Sequence, residues 1–415
     1  MKARNVMAGA AIVLATALVA TACGGGGSKD AGASTGELAF AHNKPWNFAA
    51  FSKVSQRDIG ISLKSTQYSG DPYRAFIRQS FRTKESPGLF TWEVSTALDE
   101  LAEQGVIAET TDLWTEAVDK GYVTDAVRQL YTVDGKQYCT PISVDDWVMF
   151  YNKAIFTKYK IQVPTTWAQL MQVAAVLKQH GVTPFWNQTK NFSFVWFQTL
   201  LAGTDLQLYN DLSTGKAKYT DPRVVAVMNS WLDLQKKGYF NDPGQTDFAR
   251  DLMREGKIAM APEGTWFTAD AALAGMTMGK DVDMFVIPAV KPGASTPIAL
   301  ETAPVCVGAS SKQKSLGLKF SQWWMSPQGQ QPWVKQQGNL PFNTTAEAPT
   351  PQMKTLKTTL AAGKYEYYNR YYEAAPVPIR TVALEQFSAF LTNRGDPMPY
   401  LKAIQAAADE YWAGR

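Results

Sequence analysis

The chain has 415 residues, 45% hydrophobic and 19% charged, with 30 Gly and 22 Pro. That composition is globular, and the length exceeds what one core usually serves, so two lobes are expected. A formal charge of +4 without a clustered basic excess excludes a typical nucleic-acid binder. Two well-separated histidines, His42 and His180, exclude a His-rich metal centre, and no metal or cofactor is expected. Against this, 13 Trp, 17 Tyr and 20 Phe supply many flat, rigid faces.

Residues Met1 to Asn5 carry Lys2 and Arg4, and a run of apolar and small residues follows to Val19, the pattern of an export signal. The run is too short and too poor in large apolar residues for a membrane span. It ends Val19-Ala20-Thr21-Ala22-Cys23, followed by four glycines and Ser28. This resembles the bacterial lipobox, with Ala20 where Leu is usual. It implies a signal peptide over 1–22, a lipidated Cys23 and a flexible tether over 23–36, anchored by several acyl chains on the outer face of the cytoplasmic membrane. The alternative is an ordinary cleaved signal. Removing Lys2 and Arg4 leaves 39 basic against 37 acidic residues.

With Cys23 consumed, Cys139 and Cys306 remain, and an exported compartment permits them to pair. The loop would span 167 positions, worth on the order of 4–5 kcal/mol. Spacing alone does not choose between this and two buried thiols.

From Glu37 onward, short apolar runs alternate with amphipathic helices. Thr166 and Gln169 read as a capping box after Pro164, with Trp167, Leu170, Met171, Ala174 and Leu177 on one stripe and Gly181 closing the helix. Val224, Val227, Met228, Trp231 and Leu234 repeat that grammar up to Gly238. Residues Met284 to Ile287 and Val305 to Val307 read as short buried strands. Strands alternating with helices imply α/β layers with largely parallel sheets. Ala346 to Pro351 reads as a surface connection.

Several ordered motifs carry a resemblance. Asp134-Gly135-Lys136-Gln137-Tyr138-Cys139-Thr140-Pro141-Ile142 leads through Asp145-Asp146-Trp147 to Met149-Phe150-Tyr151-Asn152-Lys153, and then to Val163-Pro164-Thr165-Thr166-Trp167. Gly256 to Met260 precedes Glu263-Gly264-Thr265-Trp266, and Ser326-Pro327-Gln328-Gly329-Gln330-Gln331 comes later. Together with the lipobox, the set is similar to the family 1 extracellular solute-binding proteins of carbohydrate ABC transporters, relatives of maltose-binding protein, across roughly Glu37 to Trp412. The chain departs from the family at Ser86-Pro87-Gly88-Leu89-Phe90 and in the crowded His42, Lys44 and Trp46 loop.

The resemblance implies a two-lobed, type II periplasmic-binding-protein-like α/β fold, each lobe a mixed, mostly parallel sheet flanked by helices. Lobe I would comprise 37–144 plus 303–342, and lobe II 145–302 plus 343–415. Three crossings are expected, near Asp145, near Glu301 to Ala303, and near Phe342 to Pro349. Cys139 and Cys306 then fall on neighbouring strands, which favours a disulfide. The cleft would hold a mono- or oligosaccharide and close by a hinge motion. An ABC permease and its ATPase are the implied partners of a monomeric receptor.

Sugar recognition needs aromatic faces for C–H surfaces and charged or amide groups for hydroxyls. Asp145, Asp146 and Trp147 are expected in a hinge loop at the first crossing. Trp266 matches a position that stacks on sugar in many relatives, with Glu263 beside it. Trp92 and Glu93 follow a strand, and Glu301 lies at the second crossing. Further candidates are His42 and Trp46 in the first strand-to-helix loop, Trp196 after Trp186 and Phe192, and Tyr372 and Arg380 after Tyr371. Trp196 also reads as core helix, and Trp147 as a core plug.

Two rivals remain. Asp145, Glu263 and Glu301 contain carboxylate pairs of the kind an exported glycosidase uses, yet the sequence lacks a nucleophile elbow, a metal-ligand cluster and a phosphate loop. Acids beside Trp also suit a peptide, a polyamine or a quaternary ammonium in an aromatic cage.

Overall fold

The computed structural model describes residues 35–414 except 45, 69, 83–85 and 246. The signal peptide, Cys23 and most of the tether lie outside the described residues.

Eleven strands are described. In chain order they are β1 (Gly36–His42), β2 (Ile61–Gln67), β3 (Leu89–Thr91), β4 (Thr132–Val133), β5 (Lys136–Gln137), β6 (Thr140–Asn152), β7 (Thr183–Phe185), β8 (Ile258–Gly264), β9 (Val282–Phe285), β10 (Thr296–Cys306) and β11 (Tyr365–Asn369). One sheet runs β2-β1-β3-β10-β6-β8-β7, with β11 added on β10 and β9 on β6, while β4 and β5 form a separate hairpin. Parallel pairs lie towards the margins: β1 with β2 and β3, β7 with β8, and β10 with β11. The central pairs are antiparallel, β6 with β10, β8 and β9. The centre departs from the parallel expectation because β6 and β10 traverse the molecule in opposite senses.

Three hydrophobic cores cover this sheet. The first gathers Leu38, Phe51, Trp114 and Trp324, and takes Ile142 and Val144 from β6 and Val305 from β10. The second gathers Trp196, Trp231, Phe197 and Phe387, and takes Trp147 and Met149 from β6 and Ala299 from β10. A smaller third core, around Val148, Phe150, Phe267 and Met353, lies against the opposite face of β6. Full burial of each such side chain contributes about 1.5–3 kcal/mol. Core membership therefore changes along β6 between Val144 and Trp147, and along β10 between Ala299 and Leu300. The chain passes from Phe342, in the first core, to Met353, in the third. Ala346 is buried on that path, whereas Glu347 to Pro351 are exposed or half-buried as a surface connection would be, and Thr350 caps the helix Pro351–Ala362.

Local chemistry sets the surrounding helices. Thr166 and Gln169 form the reciprocal capping box that opens the helix Trp167–Gln179, while Asp221 caps Pro222–Lys236 with proline in its first turn. Gly181 and Gly238 follow these helices at φ of 74° and 68°.

Asp145, Asp146 and Trp147 do not form a loop. They are interior residues of the 13-residue β6, because β10 pairs with its first half and β8 with its second, leaving the backbone bonded throughout. Their side chains therefore alternate between the two faces of the sheet. Cys139, just before β6, is bonded to Cys306, the last residue of β10, across 167 positions. Among the described residues no helix is long and apolar enough to cross a membrane.

Candidate functional site

Glu301 is the hub. It faces Asp145 across the β10–β6 pair, and Trp147 lies two residues on, on the same face as Asp145. One oxygen, Glu301 Oε2, accepts from the indole Nε1 of Trp147 at 3.0 Å and of Trp266 at 2.7 Å, and pairs with Arg370 Nη1 at 2.9 Å. Trp266 reaches it from the turn after β8, and Gly264 makes the approach possible. A Cβ on Gly264 would stand 2.3 Å from Trp266 Nε1 and 3.2 Å from Glu301 Oε2, so any side chain there displaces the indole.

Arg370 follows β11, whose parallel pairing with β10 brings Asn369 opposite Leu300. Its backbone N–H donates to the Leu300 carbonyl at 2.9 Å, which sets the guanidinium beside Glu301. The same guanidinium forks onto Glu373, with Nε 2.7 Å from Oε2. Burial opposes its charge, but Glu301 and Glu373 outweigh that and raise its pKa further. Aromatic rings surround it: the guanidinium carbon is 5.5 Å from the Trp147 ring, 5.7 Å from Phe194 and 5.4 Å from Tyr372. Phe192 stacks on Trp266 at 6.0 Å and extends this wall.

A second ion cluster spans the seam between the first two cores. Glu93, two residues after β3, receives Arg380 Nη2 from the helix Val377–Asn393 at 2.9 Å, while Arg74 of the helix Gly70–Arg82 holds its other oxygen. The Arg380 guanidinium carbon lies 3.9 Å over the Tyr372 ring. Burial works against ionisation of Glu93, but Arg380 and Arg74 prevail and hold its carboxyl below the usual range.

The remaining candidates scatter. Asp145 is 2% exposed and accepts from Thr265 Oγ1 at 2.9 Å; burial and then the charge of Glu301 push its pKa up to about 7. Asp146 points to the opposite face, away from the indoles, and burial pushes it up to about 7 as well. Glu263 pairs with Val148 rather than Trp147, so it turns towards the third core. Its Oε2 has no hydrogen-bond partner among the described residues, and burial, with Asp270 and Glu301 nearby, raises its pKa well above the usual value.

Trp196 is a core residue: it is buried, packs on Phe185 and Phe240, and donates to the Trp186 carbonyl. Trp92 is likewise buried, with its indole N–H on the Ala97 carbonyl. His42 is buried against Phe40 and Phe48, with Nδ1 3.0 Å from the Lys44 carbonyl, and Trp46 packs edge-on against Trp333. Among the described residues none of these four reaches the indole cluster through a hydrogen bond or ring contact, because each is satisfied inside its own core or loop. Arg370, Glu373, Phe194 and Arg74 are the residues sequence reasoning missed. The signal for the first two was a charged i,i+3 pair inside the tyrosine-rich run from Tyr365 to Glu373. A cavity of about 460 Å³ beside Val163, Phe285, Pro351 and Tyr365 lies elsewhere, with no indole in its lining.

Residues 48–361 match the family described as bacterial extracellular solute-binding protein. The chain belongs to that family. It is a family of solute receptors, not of enzymes, and its description is extracellular. This solute-binding protein is 27% identical over 247 residues to an uncharacterized ABC transporter extracellular-binding protein of Pyrococcus horikoshii, covering 54% of this chain and 56% of that one. It is 26% identical over 235 residues to the glucose-binding protein GlcS of Saccharolobus solfataricus, covering 51% and 41%. The chain thus spans about half the length of the curated relatives it matches. Its fold is that of a chitin oligosaccharide binding protein, with a TM-score of 0.78 at 18% identity and coverage of 92% and 100%. It is also that of an ABC substrate-binding protein from Listeria monocytogenes solved with cycloalternan, with a TM-score of 0.72 at 18% identity and coverage of 91% and 99%.

Proposed function

We propose that this solute-binding protein captures a neutral mono- or oligosaccharide at the seam between its first two cores and passes it unaltered to an ABC permease driven by an ATPase. The observation that carries the reading is the convergence of two indoles on one carboxylate in a site whose charges are already paired. Arg370 is balanced by Glu301 and Glu373, and Arg74 and Arg380 share Glu93. Such a site offers rings and oriented polar groups but little net field, which suits hydroxyls better than an ion. A quaternary ammonium or polyamine is less well served, because the aromatic box around Trp147, Phe194 and Tyr372 already surrounds the protein's own guanidinium.

The two parts, 37–144 with 303–342 and 145–302 with 343–415, are taken to close on the ligand about β6 and β10, with Glu93–Arg380 as a contact of the closed form. Cys23 is taken as the lipid-anchored N terminus. Binding of micromolar strength requires about 8 kcal/mol net, within reach of two stacked rings and a few charge-assisted bonds. The test is a thermal-shift screen over mono- and oligosaccharides, since a ligand bound only by the folded state raises its Tm, followed by tryptophan fluorescence titration with sugars and choline-like cations. A saturable response to a neutral sugar supports the proposal; a response confined to cations overturns it.

A further inference from the structure

A second cavity, about 350 Å³, lies on the face of the β6–β10 pair that carries Asp146 and Leu300, the residues paired one step before Asp145 and Glu301 in the register. Its walls are apolar, with Val127, Val144 and Phe342 from the side of the first core and Leu360 and Ala361 from the helix Pro351–Ala362. The volume falls in the range of small-molecule sites. Three titratable groups line it: Asp146, Lys357 and Tyr367. Lys357 Nζ donates to the carbonyls of Thr344 at 2.6 Å and Ala346 at 2.9 Å, and makes no ion pair with Asp146. Tyr367 is 41% exposed and feels the charge of Asp146. The Asp146 carboxyl itself has no hydrogen-bond or ion-pair partner among the described residues. Asp146 is half-buried, so its carboxyl is open to a donor that solvent or a bound molecule supplies.

We propose that this chamber is a binding site for a small amphipathic amine, its apolar body against Leu300, Phe342 and Leu360 and its ammonium on the Asp146 carboxylate. An ammonium supplies both the charge and the donors that Asp146 lacks, an alcohol supplies one donor and no charge, and a carboxylate meets Asp146 with Lys357 already held by two carbonyls. The site does not depend on the sugar reading, since it shares no side chain with the indole cluster. Binding needs Asp146 ionised, and burial pushes its pKa up to about 7. With Lys357, Tyr367 and the neighbouring Asp145 as the other titratable groups around it, affinity for the amine rises as pH passes upward through neutrality.

The test is calorimetric titration of the purified protein with 2-phenylethylamine, 2-phenylethanol and 3-phenylpropanoate. The amine binds saturably, more tightly than either the alcohol or the acid. Asp146→Asn weakens the amine by about tenfold or more, equivalent to 1.4 kcal/mol, and leaves the alcohol unchanged. Ala361→Trp, at an exposed wall position, blocks both and serves alone should Asp146→Asn fail to fold. Absence of saturable amine binding to the wild-type protein overturns the proposal, as does amine affinity unchanged in either folded variant.

Discussion

Asp145 and Asp146 are adjacent in sequence and carry the same carboxyl, yet they belong to two different environments. On one face of β6, Asp145 is held by Thr265 within a network of indoles, arginines and glutamates in which each charge has a partner. On the other, Asp146 looks into a mainly apolar chamber, and its carboxyl takes no hydrogen bond from the described residues. A single step along a strand reverses the side-chain direction, so two identical residues acquire opposite roles. On the reading proposed above, the paired face takes a neutral solute and the other face a charged visitor.

Four experiments would break or sharpen this contrast. The largest effect is expected from Glu301→Ala, which leaves Arg370 buried with Glu373 alone and strips two indoles of their acceptor. Urea unfolding should show a loss of about 4–5 kcal/mol, and a loss within error of zero would mean the hub is ornamental.

Asp145→Asn comes next. A carboxyl with a raised folded-state pKa contributes its stability below the unfolded value and loses it as pH climbs through about 7. The wild-type protein should therefore weaken between pH 4 and 7 by up to ~4 kcal/mol from this group, and the variant should lose that slope. Parallel melting curves for both proteins would mean that Asp145 is ionised throughout.

Trp266→Ala should cost about 2 kcal/mol in affinity for a sugar that the wild-type binds, with little change in Tm; equal affinities by calorimetry would remove Trp266 from the site. The smallest effect belongs to Glu93→Gln. Arg74 is partly exposed and solvent screens the cluster, so a change of roughly 1 kcal/mol or less is expected, seen as a larger radius of gyration by X-ray scattering. Because the Glu93 pKa is depressed, the difference between variant and wild type should vanish as pH falls below the ordinary glutamate range. A constant difference in acid would assign it to packing instead.

Much of the fold was legible because its signals are local. The capping box at Thr166 and Gln169 and the glycines after two helices depend on a few consecutive residues. The site was harder to read because it depends on pairing at a distance. Arg370 and Glu373 become buried only when β11 adds to β10, and neither is distinguishable beforehand from a solvated turn. Asp145 and Asp146 had been expected to act together in a loop; only the flanking of β6 by β10 and β8 separates them. Trp196 read both as a ligand-site candidate and as core helix, and the burial of its helix decides for the core.

The Cys139–Cys306 link closes the end of the very two strands on which these faces depend. A slip of one residue between β6 and β10 would turn the acids inside out, presenting Asp146 to Glu301 and Trp266 and carrying Asp145, with Trp147, towards the chamber. A covalent rivet at the strand ends forbids that sliding while leaving both strands free to flex further along. In this molecule an oxidising environment thus guards the meaning of each position, not merely the resistance of the chain to heat.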